Sequence, residues 1–524
     1  MNRSLSVGKA RIPLVQARIG EVGNFPCQID DAPPHHHVQI LTGWFAEVTV
    51  QRAERREVPR ASQLTQALLS RRVSKRREVV TGGVAVSGCL GGKRGCIHEG
   101  PLDAKDTTCA PGSETPFPAY FQNPSFPLYW SLIARHILRR SHVSLEQLIE
   151  LSRLYGSNPQ WVLAGGGNTS VKIKNTLYVK ASGTTLADAS EATFVKMDRK
   201  KLAAVLKKEY PAEPAERESQ ALQDLLDARA EGQELRPSVE TLMHELLPFT
   251  FVIHTHPPMV NGITCSQQAE QAARTVFGDE VVWIPNVNPG LILATTIRDA
   301  IKEYKTQHGT PPWLVLLQNH GLVVAGDTPE EILARHRDVA SRVKAHITRF
   351  PELDTVPYDG RQAETLAYQI ARAADELVPG TPDHQAVFIC NREVFRHVRS
   401  AKAFTPLSRA FSPDHIVYAG HRIPFLTQTD DFGAELAAVR RELEDFLRET
   451  GRIPPVVARE GLGVFITGRN RRMMDAAAAL FLDAVQIAVY TQAFGGEAFL
   501  PPEQTDFILN WEVERFRTRV SAGE

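Results

Sequence analysis

Cysteine is scarce in this chain. There are six in 524 residues, at positions 27, 89, 96, 109, 265 and 390, and no two form a Cys-x-x-Cys pair. That excludes a disulfide scaffold and reads as free thiols in a reducing compartment. Long apolar runs are missing as well. None approaches 18 residues, so no membrane-spanning helix is expected. The opening MNRSLSVGKARIPL lacks the apolar core of a signal peptide. Nor is there an excess of one charge: 60 Lys+Arg meet 60 Asp+Glu. A dedicated nucleic-acid binder would usually be strongly basic. What remains is ordinary globular composition, 43% hydrophobic and 23% charged, which excludes collagen-like, coiled-coil and wholly disordered chains. The expectation is a soluble, cytoplasmic protein with neither nucleic acid nor membrane as partner.

Sustained periodicity is also scarce before about residue 127. Residues 1–120 hold 16 Lys+Arg against 11 Asp+Glu, and the rest carries the matching acidic excess. This stretch holds the basic clusters Arg71-Arg72 and Lys75-Arg76-Arg77, a Gly/Cys segment from Ser87 to Cys96, and the run His35-His36-His37, which reads as solvated loop rather than an adventitious metal site. Gly88 to Arg94 fails as a phosphate loop, because Ser87 and Arg94 occupy positions that need Gly and Ser/Thr. Residues 1–140 are read as a weakly patterned extension or an over-called start. Regular spacing begins with helices over 128–139 and 143–155, the second opened by a Ser144/Gln147 capping box. Residues 141–350 and 351–524 are read as an α/β domain and a smaller α/β companion. Strands are expected at 161–164, 176–180, 251–256, 281–284, 314–317 and 322–325. Helices are expected at 199–209, 216–229, 238–247, 297–306 and 329–350, the last capped by Thr328 and Pro329. The companion is expected to hold a helix over 431–450, a strand over 463–467 and a helix over 472–494.

The informative segment is Phe251-Val252-Ile253-His254-Thr255-His256-Pro257. Side chains two apart on a strand share a face, so His254 and His256 project together and Pro257 ends the ladder. Two converging imidazoles make half of a metal site. A third, His320, sits at the turn of an apolar hairpin, where Gly321 is expected to supply positive φ. Glu240 falls in the first turn of a short helix. Its ordinary use there is to complement the helix dipole, and its functional use is as ligand or general base. Three neutral histidines and a carboxylate suit Zn²⁺ or another divalent transition metal with an exchangeable position. Two donor-rich turns complete the set: Gly165-Gly166-Gly167-Asn168-Thr169-Ser170 and Lys180-Ala181-Ser182-Gly183-Thr184. Their backbone amides and polar side chains suit a phosphate or carboxylate.

Taken in order, Gly167-Asn168-Thr169-Ser170, Lys180-x-Ser182-Gly183, Pro237-Ser238-x-Glu240, His254-x-His256-Pro257 and Asn319-His320-Gly321 resemble the class II aldolase/adducin family over about residues 143–350. Ser412-Pro413-Asp414-His415, Gly461-Leu462-Gly463-Val464-Phe465 and Gly468-Arg469 extend the resemblance to the aldolase half of bifunctional rhamnulose-1-phosphate aldolase/alcohol dehydrogenases. Those relatives continue into a dehydrogenase domain. Gly461-x-Gly463 is not followed by Gly at Ile466, and no nicotinamide chemistry is expected. The resemblance implies a three-layer αβα domain around a mostly antiparallel sheet. It implies one Zn²⁺ on His254, His256 and His320, with Glu240 as fourth ligand or displaced base. It also implies a sugar phosphate held by Gly167, Asn168, Ser182, Gly183 and Ser238, with Lys180 adding charge, and cleavage through a metal-stabilised enediolate in a homo-oligomer. The same fold serves sugar-phosphate epimerases, decarboxylases and non-catalytic adducin-like proteins. Asn286 and Asn288 stand where the bifunctional relatives usually carry Tyr and Asp, so substrate identity does not carry over. For the family's proton-donor tyrosine the candidates are Tyr178, Tyr358 and Tyr368. Cys265 reads as core.

Overall fold

A computed structural model describes residues 5–7, 10–12, 37–40, 46–49, 143–380 and 383–511. Two compact units divide the chain, Met1–Thr107 and Thr108–Glu524. Among the described residues of the first, β1 (Leu5–Val7) pairs antiparallel with β2 (Ala10–Ile12) and β3 (His37–Ile40) with β4 (Ala46–Thr49). The expected helix over 128–139, the basic clusters and the Gly/Cys segment lie outside the described residues. So do the side chains of the histidine run.

In the second unit, seven strands form one sheet: β5 (Asn168–Ile173), β6 (Thr176–Lys180), β7 (Phe194–Asp198), β8 (Phe251–Thr255), β9 (Val281–Ile284), β10 (Leu314–Leu317) and β11 (Gly321–Gly326). Their order across the sheet is β7-β6-β5-β8-β11-β10-β9. Only the β9–β10 pair is parallel. The strands are apolar on both sides because both faces are covered. On one face Phe251, Ile253, Leu316 and Leu322 pack against the helices Leu145–Gly156, Pro258–Thr264 and Pro329–His346. On the other, Val252, Val315, Leu317 and Val323 meet the helices Thr241–Leu246 and Leu291–His308. The result is three layers, αβα. Each fully buried leucine or phenylalanine contributes roughly 1.5–3 kcal/mol of transfer free energy.

Two strands of this sheet differ from the sequence reading. Residues 161–164 form a turn, and the strand lies after them as β5, starting at Asn168. Gly and Asn-Thr-Ser read locally as turn residues, but the free edge of β8 captures them. β7, with its single alternation Phe194–Asp198, is absent from the expected strands. The Ser144/Gln147 capping box is present, and Thr328 caps the helix that follows it.

A second sheet, β12 (Gln385–Ile389), β13 (Phe425–Leu426), β14 (Val456–Arg459) and β15 (Gly463–Gly468), has the order β12-β15-β14-β13. Helices Gly360–Leu377 and Phe432–Thr450 cover one face and Arg471–Thr491 the other. Gly461, at φ +71, turns the β14–β15 hairpin. By length and composition the stretch Arg471–Phe494 could cross a membrane, although Asp475 and Asp483 interrupt its apolar run. Most of it is buried inside the protein. It packs on Pro258–Thr264 so closely that a Cβ at Gly262 would lie 2.5 Å from Tyr490 Cβ. This helix therefore ties the second sheet to the element that directly follows the histidine strand.

Candidate metal centre

β8 runs between β5 and β11, and the register sets His254 opposite Asn168 on one side and Val323 on the other. His254 is wholly buried. Its Nδ1 faces the Leu322 carbonyl at 3.0 Å. A carbonyl only accepts, so Nδ1 carries the proton and Nε2 keeps its lone pair. His256 follows the strand end, and its Nδ1 donates to Asp414 Oδ2 at 2.7 Å. Its Nε2 is likewise turned inward. His320 arrives from the β10–β11 turn. The Nε2 atoms of His254 and His256 are 2.9 Å apart, and those of His254 and His320 3.4 Å apart.

The turn that carries His320 is built differently from expectation. Asn319, at φ 52, takes the left-handed position, and Gly321 does not. Asn tolerates that region better than most side chains, and its amide offsets the strain by donating to Phe411 O at 3.1 Å and Ala498 O at 2.7 Å. Gly321 is needed for space. A Cβ there would lie 2.6 Å from Thr255 O and 2.7 Å from His256 Cδ2.

Glu240 is the N-cap of helix Thr241–Leu246, one residue before the first turn where it was expected. Its side chain makes no cap hydrogen bond and turns toward the histidines. Oε1 lies 3.2 Å from His320 Nε2 and 3.6 Å from His254 Nε2. Oε2 accepts from Asn168 Nδ2 at 2.5 Å. Behind Asn168, its Oδ1 pairs with His244 Nε2, and His244 Nδ1 meets Ser170 Oγ at 2.7 Å. The other end of the Glu240 helix is pinned by Lys172, whose Nζ donates to the carbonyls of His244, Leu247 and Phe249 at 2.6, 2.7 and 3.0 Å.

The electrostatics match this geometry. Burial opposes the charge of Glu240, but the facing His254 and His320 and the Asn168 amide outweigh it and hold the carboxyl down at about 2. Burial drives His254 well below its ordinary value, against the pull of Glu240. Burial also takes His244 down to about 3. A carboxylate and neutral imidazoles are the forms that ligate metals. Glu240 Oε1 is buried without a hydrogen-bond partner, which is costly unless something positive meets it. His254, His256 and His320 are able to hold a metal ion, since their ligand atoms all lie within 4.8 Å of one another. Tetrahedral zinc with bonds of about 2.0–2.1 Å separates its ligand atoms by about 3.3 Å. The donor set therefore fits a divalent metal in kind and in spacing.

The structure brings the other singled-out residues to the same place. Gly167, Asn168, Lys180, Ser182, Gly183, Ser238, Glu240, His256 and His320 line one cavity, with His254 buried behind its wall. Lys180 is 4% exposed and donates to Gly165 O at 2.8 Å. Asn286 lines an adjoining recess and braces the hairpin through Gln318 and Asn319. Tyr178, Tyr358 and Tyr368 do not line the cavity. The tyrosine that reaches its wall is Tyr418, whose hydroxyl accepts from Gly165 N–H at 3.2 Å. Cys265 is core, its thiol pushed up to about 12 by burial. Asp414, His244 and Tyr418 carry no local signal of a site. Only Asp414 lies within one of the resembling motifs, and nothing there gives it a role.

Residues 146–347 match the model of the class II aldolase and adducin N-terminal domain, and the seven-stranded sheet with its two helical layers has the class II aldolase fold. A Bacillus subtilis (strain 168) protein named uncharacterized oxidoreductase YuxG is 24% identical in an alignment 418 residues long that covers 72% of this chain. That match spans 59% of the relative's own length. Among solved structures, the N-terminal class II aldolase domain of a conserved protein from Thermoplasma acidophilum is 29% identical. It covers 40% of this chain and 98% of its own, at a TM-score of 0.34. L-fuculose-1-phosphate aldolase from Thermus thermophilus is 15% identical and covers 38% of this chain and 92% of its own, at a TM-score of 0.25.

Proposed function

We propose that this protein is a zinc-dependent aldehyde-lyase that cleaves a phosphorylated ketose or a related sugar. The observation that carries the reading is the convergence of three imidazole Nε2 atoms and Glu240 Oε1 at the wall of a cavity. His254, His256 and His320 would hold the metal, with Glu240 beside them. A divalent cation there would supply positive charge against the negative charge that develops on substrate oxygens as a carbon–carbon bond breaks.

The rest falls to the chain's own residues. Asn168 fixes Glu240 by Oε2, and Oε1, which makes no hydrogen bond, is the oxygen that would take or return a substrate proton. Lys180, Ser182, Gly183 and Ser238 form the polar side of the cavity. The cation and the hydroxyls support placing an anionic group, such as a phosphate, on that side. Asn168 is less available to that group than the sequence suggests, since its amide already joins Glu240 to His244.

Two measurements test the proposal. Purified protein should carry about one zinc per chain, lost in His254→Ala. No metal under any preparation would defeat the enzyme reading and favour an adducin-like binding role. With a panel of ketose 1-phosphates, release of dihydroxyacetone phosphate is expected from at least one. A metal-loaded protein that releases it from none is not this lyase, and epimerisation or decarboxylation becomes the reading to pursue.

A further inference from the structure

We infer that Asp414 is a positioning residue that sets the metal affinity of this centre from the chain beyond residue 400. The inference rests on the proposed metal site and names a control over it. The domain match ends at residue 347, yet two of the three candidate ligands are held in place by residues from 411 onward.

His256 is the first. Its Nδ1–H meets the Asp414 carboxylate at 2.7 Å, and Asp414 is itself 5% exposed. A carboxylate behind an imidazole fixes the tautomer, turns the ring and makes the opposite nitrogen a stronger donor. His254 relies on a neutral carbonyl for the same purpose, so of these two Nδ1 acceptors Asp414 brings the negative charge. His320 is the second. The preceding residue, Asn319, is tied to Phe411 O and Ala498 O.

Asp414 is not placed there by chance packing. It lies on the short helix Pro413–Tyr418. Arg452, reaching across from before β14, donates to the carbonyls of Ile416 and Val417 at 2.6 and 2.7 Å and so satisfies the end of that helix. Tyr418 on the same helix accepts from Gly165 N–H. Between them, Gly166 leaves the space the carboxylate needs. A Cβ at Gly166 would overlap Asp414 Oδ2 and lie 3.3 Å from His256 Nδ1. A glycine in the first sheet's loop and an aspartate from the second half of the unit therefore serve one hydrogen bond.

The test compares the full-length wild type with Asp414→Asn, both stripped of metal and then titrated with Zn²⁺ against a chromophoric chelator. Removing such an outer carboxylate costs metal affinity by about 10- to 100-fold. That loss is expected for Asp414→Asn, together with shifted visible bands in the Co²⁺-loaded protein. The melting temperature without metal should stay near that of the wild type. Equal Zn²⁺ affinity and identical Co²⁺ spectra in the two proteins overturn this inference and leave the proposed function standing. A wild type that binds neither ion overturns both. Should Asp414→Asn not fold, hydrogen exchange on the wild type decides. Zn²⁺ should slow exchange over residues 413–418 as well as 251–256. Protection confined to 251–256 overturns the inference.

Discussion

Glu240 Oε2 accepts a 2.5 Å hydrogen bond from Asn168 Nδ2, while Glu240 Oε1, on the other side of the same carboxylate, makes no hydrogen bond and lies 3.2 Å from His320 Nε2. One oxygen is anchored and the other is directed at His320 and His254. This division of labour makes Asn168 testable as the residue that holds a base in place. In Asn168→Ala, kcat should fall by about two orders of magnitude, in the range typical of general-base contributions, while bound zinc stays near one per chain. Measuring both in one preparation separates the roles. An unchanged kcat shows that Glu240 needs no anchor, and lost zinc would move Asn168 into the metal's support.

Metal removal should destabilise the protein, because the three imidazoles and Glu240 Oε1 then face one another without a cation between them. A ligand present at 1,000 times its dissociation constant stabilises the folded state by about 4 kcal/mol. Chelation should therefore lower the melting temperature by several degrees, and added Zn²⁺ should restore it. Thermal melts that superimpose with and without chelator would contradict this.

Gly321→Ala should be costly in spite of its ordinary backbone conformation. The new methyl group would press on Thr255 O and the His256 ring. Overpacking of this kind costs about 1–3 kcal/mol, and here it also displaces a candidate ligand. Both a lower melting temperature and a reduced zinc content are expected. A variant with wild-type zinc and an unchanged melt rules out the steric account.

Acid should weaken the fold partly through a histidine remote from the metal centre. His336 is fully buried between Tyr155 and Trp161, and its Nε2 has no partner. Burial lowers its pKa from 6.5 to about 4, only partly offset by its bond to Ile332 O. Above pH 6.5 both folded and unfolded chains are neutral at this site. As pH falls toward 4, the unfolded chain takes a proton that the folded chain refuses, so stability is lost across that window. The loss attributable to this residue is about 3 kcal/mol at its fullest. His336→Phe should flatten the dependence of unfolding free energy on pH between 6.5 and 4 by roughly one proton. It should not abolish it, because His244 and His254 are also buried with lowered values. Parallel curves for wild type and variant would exclude the assignment.

How much of this was legible in the chain depends on the distance over which each feature is specified. The period-two spacing of His254 and His256 is local, and so are the apolar hairpin around His320, the Ser144/Gln147 box and the Thr328 cap. A few adjacent residues fix each of them. Asn168 is different. Among glycines and small polar residues it reads as part of a turn, and it becomes the first residue of a central strand only because β8 offers it a ladder.

The donor types, their order along the chain and the strand and turn that present them follow from side-chain chemistry and backbone periodicity. Tertiary structure alone decided the rest. It turned Glu240 out of its helix onto the histidines, gave Asn168 to Glu240 and His244 to Asn168, and gave the left-handed position to Asn319. It also brought Asp414 across 158 positions to His256. Such contacts depend on how layers pack and which edges meet. No local pattern encodes a hydrogen bond whose two partners become neighbours only when the fold closes.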